Sequence, residues 1–248
     1  DAMAGVDGCF HLAAIASVTR SVTDWPGTHR ANQSATVAVL DAARTARGGA
    51  PAPVVYASSA AVYGDNPALP LTEDATTVPL SAYGADKLGS ELHARVGAHV
   101  YGVATTGGRF FNVYGPRQDP ASPYSGVISI FAERILAGRG ITMFGDGGQS
   151  RDFVYVGDVV GFLCRAMAAA VPGRAAVYNV CTGRSITVAE LAGIIAGLAA
   201  RVADITRADP RQGDIRHSCG DPALAAAELG FHAATDVADG LAATIGWM

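Results

Sequence analysis

Short β-branched runs alternate with helical patterns along the chain, and this alternation most constrains the fold. Residues 54–59 (Val-Val-Tyr-Ala-Ser-Ser) are typical of a strand buried on both faces. A helix is predicted before this strand over 28–47, and another is predicted after it from Ser81 to Gly102. Further strands are predicted over 6–14, 103–111, 141–144 and 177–180. Strands separated by helices form a mostly parallel sheet, so the sequence predicts the α/β class.

Tyr83 and Lys87 are the first candidates for chemistry. Four residues apart in a helix, they share one face. A nearby ammonium favours the phenolate and lowers the pKa of a tyrosine, which can then accept a proton from a hydroxyl. Lys87 is also the only lysine of the chain. A Tyr and a Lys at this spacing recur by chance in unrelated helices, so the pair indicates catalysis only in context.

Two hydroxyls, those of Ser58 and Ser59, stand at the carboxyl end of the strand over 54–59. Chemistry gathers at such ends in open α/β sheets, although a serine there can also simply cap the strand. In the helix that follows, Leu88, Leu92 and Val96 are four residues apart and predict its buried stripe.

Composition excludes several functions. The net charge of -4 argues against a nucleic-acid partner, which usually requires a basic patch. No apolar run approaches the roughly 18 residues that span a bilayer, and we expect neither a signal peptide nor a membrane partner. The 4 cysteines form no CxxC pair and no metal-ligand spacing. They predict reduced thiols in a cytoplasmic enzyme without a metal site.

Six ordered segments together resemble the extended short-chain dehydrogenase/reductases, in particular nucleotide-sugar epimerases of the UDP-glucose 4-epimerase type. The segments are His11-Leu12-Ala13-Ala14, Ser58-Ser59-Ala60-Ala61-Val62-Tyr63-Gly64, Tyr83 with Lys87, Arg109-Phe110-Phe111-Asn112-Val113-Tyr114-Gly115-Pro116, Arg151-Asp152-Phe153-Val154 and Arg211-Gln212-Gly213-Asp214. The resemblance implies a Rossmann-like doubly wound parallel sheet with a smaller C-terminal substrate domain. It implies a partial dinucleotide-binding domain over 1–114, with 152–182 returning to it. The sugar-nucleotide domain would then comprise 115–151 and 183–248.

The resemblance also implies roles for individual residues. Ser59, Tyr83 and Lys87 would be catalytic, with Tyr83 as the acid/base and Lys87 lowering its pKa. The residues implied to contact an NAD cofactor are Ala13, Ala14, Asn32, Ser58, Tyr83, Lys87, Phe110 and Phe111. The residues implied to bind a nucleotide-sugar substrate are Ser59, Asn112, Arg151, Arg211 and Asp214. The arginines make independent chemical sense, because a guanidinium presents a planar fork to phosphate oxygens, although a local Arg151–Asp152 ion pair is the alternative.

The implied reaction is epimerisation at carbon 4 of the sugar through a transient 4-keto sugar. UDP-glucose, its galactose epimer and the N-acetyl analogues all remain open as substrates. The related 4,6-dehydratases carry an Asp-Glu pair where this chain has Ala60 and Ala61, which argues against dehydration. The alternatives are an NAD(P)-dependent nucleotide-sugar reductase or dehydratase, and a non-catalytic dinucleotide-sensing protein on the same fold. A homodimer built from the helices that carry Asn32 and Tyr83 is expected by analogy.

One family feature has no counterpart in this sequence. The family opens with a strand, a GxxGxxG turn and a helix that holds the pyrophosphate, and no such turn precedes His11. By family analogy, the first three strands, roughly sixty residues, are expected to be missing, so an open edge is expected on the sheet. The 248-residue chain is therefore expected to bind NAD poorly and to be marginally stable.

Overall fold

The computed structural model describes residues 2–122, 126–210 and 215–248. Its strands are β1 (Cys9–His11), β2 (Val54–Ser59), β3 (Thr105–Phe110), β4 (Asn112–Tyr114), β5 (Ile141–Phe144), β6 (Ser150–Tyr155), β7 (Ala175–Val180), β8 (Ser185–Thr187) and β9 (Ile205–Ala208). Its α-helices are α1 (Val18–Thr23), α2 (Trp25–His29), α3 (Ala35–Ala43), α4 (Ala82–Tyr101), α5 (Val127–Leu136), α6 (Val156–Ala168), α7 (Val188–Leu198), α8 (Ala223–Leu229) and α9 (Val237–Trp247). No helix in the described ranges is long and apolar enough to cross a membrane.

Four parallel strands form the main sheet in the order β1-β2-β3-β7. Helices cover both of its faces. Val54 and Tyr56 of β2 pack with Leu40 of α3, whereas Val55 between them packs on the opposite side with Phe162 of α6. Successive residues of a strand point to opposite faces, so β2 is hydrophobic from Val54 to Ala57 because both of its faces are buried. The structure confirms the predicted α/β class and the doubly wound parallel arrangement.

Two adjacent glycines in β3 are explained by the lack of space for a side chain at either position. Gly107 lies beside Tyr56 in the sheet register, and a Cβ at Gly107 would come within 2.6 Å of the Tyr56 ring. A Cβ at Gly108, which faces the other way, would come within 2.8 Å of the Phe162 ring. Phe110 is closer still, since a Cβ at Gly108 would come within 2.6 Å of its ring. Glycine at both positions therefore lets aromatic rings pack closely against both faces of the sheet.

A second group of elements follows the main sheet. Strands β4, β6 and β8 form one small sheet, and β5 pairs with β9 in another. They surround a hydrophobic cluster separate from that of the main sheet. Its buried members are Tyr114, Ile128, Phe131, Ala132, Ile135, Ile141, Met143, Phe153, Val188, Leu191, Ala192, Ile195 and Leu241. Thr187 and Glu190 form a capping box at the start of α7.

The helix predicted over 28–47 is not continuous. It consists of α2, a π-helical turn over Arg30–Ser34, and α3, which ends at Ala43. The π turn includes Asn32, whose side chain is buried. Single π turns widen a helix locally and often occur at functional positions.

The predicted buried stripe of α4 is wrong for two of its three residues. Leu92 and Val96 are about half exposed. The residues that α4 buries are small or polar: Gly84, Asp86, Lys87, Ser90, Glu91, Ala94, Gly97 and Ala98. The buried face of α4 carries the polar groups that bond to β2 and β3. The apolar residues Leu92 and Val96 lie on the opposite, exposed face, so their spacing does not identify the buried side.

Candidate active site

Tyr83 and Lys87 lie on successive turns of α4, beside the end of β2. Ser81 caps the helix, because its hydroxyl accepts a hydrogen bond from the Gly84 N–H at 3.1 Å. Lys87 is buried, and its Nζ donates to the Ala57 carbonyl oxygen of β2 at 2.7 Å. The same nitrogen is 5.8 Å from the centre of the Tyr83 ring. The cap and the bond to β2 therefore hold the phenol and the ammonium next to each other.

Ser59, the last residue of β2, completes this group. Its side chain lies close enough to the Tyr83 phenol to lower the pKa of Tyr83, and its hydroxyl accepts from the Ala61 N–H at 3.2 Å. The bond to Ala61 starts a 3₁₀ turn over Ala60–Tyr63, which leads the chain away from the strand. The structure thus brings together the three side chains expected to be catalytic.

The electrostatics of the pair differ from the expectation. Burial raises the pKa of Tyr83, because the phenolate loses hydration, and the nearby Ser59 hydroxyl offsets only part of this. Burial lowers the pKa of Lys87 to about 8, against the opposing charge of Asp86. The net direction for Tyr83 is opposite to the predicted depression. The physical reason is that desolvation of the phenol dominates, while the Lys87 ammonium is directed at the Ala57 carbonyl.

Asn32 holds the loop that follows β1. Its side-chain oxygen accepts from the Ile15 N–H at 2.7 Å, and its amide nitrogen donates to the Ile15 carbonyl at 3.2 Å. This loop includes Ala13, which is exposed, and Ala14, which is half-buried. Asn32 therefore acts on the shape of the loop, and the small alanines leave space beside it for a ligand to approach the end of the strand.

The remaining residues expected to contact the cofactor are placed as follows. Phe110 packs edge-on against Phe162, with ring centres 6.5 Å apart. Phe111 is buried, and its ring centre is 6.4 Å from that of Tyr63. Ser58 is buried, and its hydroxyl donates to Glu91 at 2.5 Å, so its side chain bonds to α4. Their contacts with NAD remain predictions.

A buried polar network that motif analysis did not identify lies directly behind the site. Arg109 of β3 forms two bonds to the Glu91 carboxylate of α4, at 2.9 and 2.8 Å. Its third nitrogen donates to the Tyr63 hydroxyl and to the Glu73 carbonyl, both at 2.8 Å. Together with the Ser58 bond, these contacts tie α4 to the chain on both sides of Ser59. One feature of the sequence pointed to this network: the acidic residue Glu91 follows Lys87 by one helical turn, on the same face of α4 as Tyr83.

Asn112 and Arg151 line one cavity of about 380 Å³. The cavity combines apolar walls with two guanidinium groups, those of Arg134 and Arg151. The other residues that line it are Gly126, Val127, Ile130, Phe131, Thr142, Phe144, Gln149 and Val188. The structure therefore brings together two of the residues expected to bind substrate. The predicted residues Arg211 and Asp214 lie outside the described residues.

The contacts of Asp152, the residue after Arg151, are structural. Its fully buried carboxylate accepts from the Thr182 N–H at 2.9 Å, the Thr182 hydroxyl at 2.8 Å and the Gly183 N–H at 2.9 Å. Burial raises the pKa of Asp152, although these hydrogen bonds counteract it. Asp152 thus links β6 to the loop after β7. This link fixes the position of β6, the strand that carries Arg151.

Comparison with known proteins adds to this geometry. Residues 1–181 match the model of the NAD dependent epimerase/dehydratase family. The chain is 39% identical over 236 residues to the UDP-glucose 4-epimerase of Mycolicibacterium smegmatis, and the match covers 95% of this chain and 74% of that protein. It is 34% identical to UDP-glucuronate 4-epimerase 5 of Arabidopsis thaliana, where the match covers 96% of this chain but only 57% of that relative. It is 35% identical to the dTDP-glucose 4,6-dehydratase of Streptomyces griseus, with 99% of this chain and 72% of that enzyme covered.

Solved structures agree with these relatives. The UDP-N-acetylglucosamine 4-epimerase of Methanobrevibacter ruminantium M1, in complex with UDP-N-acetylmuramic acid, superposes with a TM-score of 0.93 at 35% identity. The match covers 99% of this chain and 77% of that one. The UDP-glucose 4-epimerase of Thermus thermophilus, in complex with NAD, gives a TM-score of 0.87 at 33% identity. That match covers 97% of this chain and 77% of the other.

Proposed function

Because this chain belongs to the NAD dependent epimerase/dehydratase family, we propose that it carries the catalytic machinery for inverting carbon 4 of a nucleotide sugar. The observation that carries the proposal is the convergence of Ser59, Tyr83 and Lys87 at the end of β2. A base, a neighbouring hydroxyl and a cation within one helical turn are suited to the proton transfer that accompanies oxidation of a secondary alcohol.

The residues at this edge of the sheet fit the NAD of the family. The loop after β1 offers the small residues Ala13 and Ala14, and Asn32 holds its backbone. Lys87 has three N–H donors, of which one is directed at Ala57. Ala13, Ala14, Asn32 and Lys87 would hold the cofactor at this edge. When bound, NAD supplies the acceptor and donor of hydride for this chemistry.

The chain's own residues handle the proton. As the phenolate, Tyr83 accepts the proton of the sugar 4-hydroxyl as carbon 4 loses hydride, and a 4-keto sugar results. Ser59 bonds to the same sugar oxygen, which it can reach because its side chain lies beside the Tyr83 phenol. The Lys87 ammonium stabilises the negative charge on the phenol oxygen during the transfer. Tyr83 returns the proton after hydride re-enters on the other face of the sugar, so the net reaction is inversion without net oxidation.

The cavity with Asn112 and Arg151 is proposed to bind the nucleotide diphosphate. Arg134 and Arg151 supply positive charge for phosphate oxygens, while Ile130, Phe131 and other apolar walls suit a nucleobase. We also propose that it belongs to a sugar-nucleotide domain formed by 115–151 and 183–248. The substrates named for the relatives, UDP-glucose and UDP-N-acetylglucosamine, are the first to test.

Dehydration is disfavoured by the turn after Ser59. Its first two residues, Ala60 and Ala61, are half-buried and carry no titratable group. Loss of a proton from carbon 5 and of water from carbon 6 needs an acid and a base, so this turn does not supply that chemistry.

The test is inversion of carbon 4 followed by NMR. The chain is incubated with NAD and with UDP-glucose or UDP-N-acetylglucosamine, without reductant. Interconversion of the two C4 epimers without accumulation of NADH is expected. Accumulation of NADH would identify an oxidoreductase, and a 4-keto-6-deoxy product would identify a dehydratase. Cofactor binding without any turnover would support the dinucleotide-sensing alternative.

We further propose a homodimer built on α4. Leu92, Val96 and Val100 form an exposed apolar row, four residues apart, on the face of α4 opposite to the active site. Charge placed in such a row opposes association because it would be buried without a partner. Val96→Glu is expected to convert the dimer to monomer at micromolar concentration, as measured by light scattering after gel filtration. Val171→Glu, at a site of equal exposure, is the matched control and should leave the mass unchanged. A wild-type monomer would contradict the proposal.

A further inference from the structure

A buried hydroxyl, that of Thr36 in α3, lies between the end of β1 and the π turn that carries Asn32. Thr36 is only 5% exposed. Its Oγ1 is 2.7 Å from the Asn32 carbonyl oxygen and 2.9 Å from His11 Nε2. The loop over 12–16, here called the cofactor loop, follows His11 directly. Thr36 therefore joins the strand before the cofactor loop to the turn whose Asn32 side chain holds it.

Only one arrangement of protons satisfies both contacts of Thr36. A carbonyl oxygen only accepts, so the Thr36 hydroxyl donates its single proton to Asn32. Toward His11 the hydroxyl then offers only a lone pair, and His11 Nε2 must carry the proton of the 2.9 Å contact. A third neighbour, Ser90 Oγ at 3.4 Å, donates its own proton to the Asp86 carbonyl at 2.8 Å and leaves this pairing unchanged.

The tautomer of His11 follows from this arrangement. Burial and, to a smaller extent, the positive charge of Lys87 lower the pKa of His11, which favours the neutral imidazole. A neutral imidazole carries one N–H, and the contact with Thr36 assigns it to Nε2. The tautomer therefore reports whether the hydrogen bond to Thr36 is formed as described.

The main chain and the side chain of Asn32 act together. Asn32 lies in the π turn, where the Ala35 N–H reaches back to the Arg30 carbonyl. The Asn32 amide bonds to both polar atoms of the Ile15 main chain, at 2.7 and 3.2 Å. Because the Thr36 hydroxyl holds the Asn32 carbonyl, it fixes the backbone from which this amide projects.

We propose that Thr36 is the positioning residue of the cofactor loop. Its hydroxyl accepts a hydrogen bond from His11 Nε2 and donates one to the Asn32 carbonyl, which keeps the Asn32 amide directed at Ile15. The loop carries the two alanines proposed to lie beside NAD, so the hydroxyl acts on the cofactor through the shape of the loop. This consequence for NAD rests on the proposed function, whereas the hydrogen bonds can be measured without a cofactor.

The first measurement is the tautomer of His11 in the wild-type chain. Long-range ¹H–¹⁵N correlation spectra of ¹⁵N-histidine-labelled protein distinguish the two tautomers at about pH 8, where an ordinary histidine is neutral. The chain has 6 histidines, so the His11 signal is identified by its loss in His11→Gln. We expect the Nε2–H tautomer. The Nδ1–H tautomer would overturn the proposal, because Thr36 would then have to donate to His11 and could not donate to Asn32.

The second measurement is the exchange of the Ile15 N–H for deuterium, followed by NMR. This amide donates to Asn32 Oδ1. In Thr36→Val, which removes the hydroxyl but keeps the branched shape, exchange is expected to be about tenfold faster, the factor that corresponds to one lost hydrogen bond. Thr36→Ser keeps the hydroxyl and should stay within about twofold of wild type. The matched control is Thr45→Val, the same change at an exposed threonine beyond the end of α3, and it should leave the rate unchanged.

Two further comparisons keep this measurement decisive. Thr36→Ala removes the same hydroxyl with less bulk and should accelerate Ile15 exchange as well if valine disturbs packing. The amides of α5, which belongs to the second hydrophobic cluster, should keep their wild-type rates. Wild-type exchange of Ile15 in both folded Thr36→Val and Thr36→Ala overturns the proposal. Equal acceleration of Ile15 and α5 would also overturn it, since that result indicates general destabilisation.

The link to the cofactor is tested by calorimetric titration with NAD. The affinity is expected to fall about tenfold in Thr36→Val and to return to the wild-type value in Thr36→Ser. Unchanged affinity alongside faster Ile15 exchange would confine Thr36 to a structural role and overturn its link to the cofactor. The tautomer and exchange measurements use neither NAD nor a sugar nucleotide, so their failure is distinct from failure of the proposed function.

Discussion

Tyr83→Phe is expected to lower kcat for inversion of carbon 4 by about 10³-fold, within the range of about 10²- to 10⁴-fold that a positioned acid/base contributes. The phenol lies beside Lys87 and close to the Ser59 side chain. Phenylalanine keeps the ring and its packing but removes the oxygen that receives the proton. Oxidation of the sugar alcohol then has to release its proton to water, which the buried site largely excludes.

The effect on binding should be much smaller than the effect on turnover. KM is expected to stay within about threefold, because the lost group acts in the transition state more than in the ground state. Tyr101→Phe is the matched control: it makes the same change on the same helix, at a half-exposed side chain. It should retain wild-type kcat. A Tyr83→Phe variant with kcat within threefold of wild type would remove Tyr83 from the mechanism.

Arg109→Met is expected to reduce the free energy of unfolding by about 3–5 kcal/mol, the usual cost of removing one partner of a buried ion pair. The Arg109 and Glu91 side chains are 4% and 1% exposed, so water cannot replace the lost bonds. Burial opposes the charge on Arg109, yet the Glu91 carboxylate raises its pKa overall. Without the guanidinium, Glu91 becomes a buried charge that retains only the Ser58 hydroxyl as a donor among the contacts described above.

The double variant Glu91→Leu/Arg109→Met distinguishes the free-energy cost of an unpaired buried charge from the cost of lost packing. It is expected to be more stable than Arg109→Met alone, because no buried charge is left without a partner. Urea denaturation measures both free energies, and a double-mutant cycle gives the coupling. Arg44→Met, which breaks the exposed pair with Asp41, should change stability by less than about 1 kcal/mol. A loss of less than about 1 kcal/mol in Arg109→Met would contradict this account of the network.

Local patterns were sufficient for the parts of the fold that depend on neighbours in sequence. The strand over Val54–Ser59 was recognisable because a chain buried on both faces has a continuous hydrophobic run, here Val54 to Ala57. Gly102 marked the end of α4 because its left-handed conformation, with φ of 71°, suits glycine. Tyr83 and Lys87 were identifiable because a helix places residues four apart on one face.

Helical periodicity was misleading where it assumed that the apolar side is the buried one. Leu92 and Val96 have the spacing of a core stripe, yet α4 buries Asp86, Lys87 and Glu91 instead. These polar residues are buried because each meets a partner from a distant part of the chain. No pattern within the helix reveals those partners.

The sequence by itself determined the α/β class, the strand that leads to Ser59 and the pairing of Tyr83 with Lys87. Each follows from backbone geometry repeated over a few residues. Only the tertiary structure decided that Ser58 bonds to Glu91, that His29 bonds to Asp86, and that burial raises the pKa of Tyr83. Those outcomes depend on which side chains the folded chain places in contact and on how much water it removes from them, and both arise from packing between segments far apart in sequence.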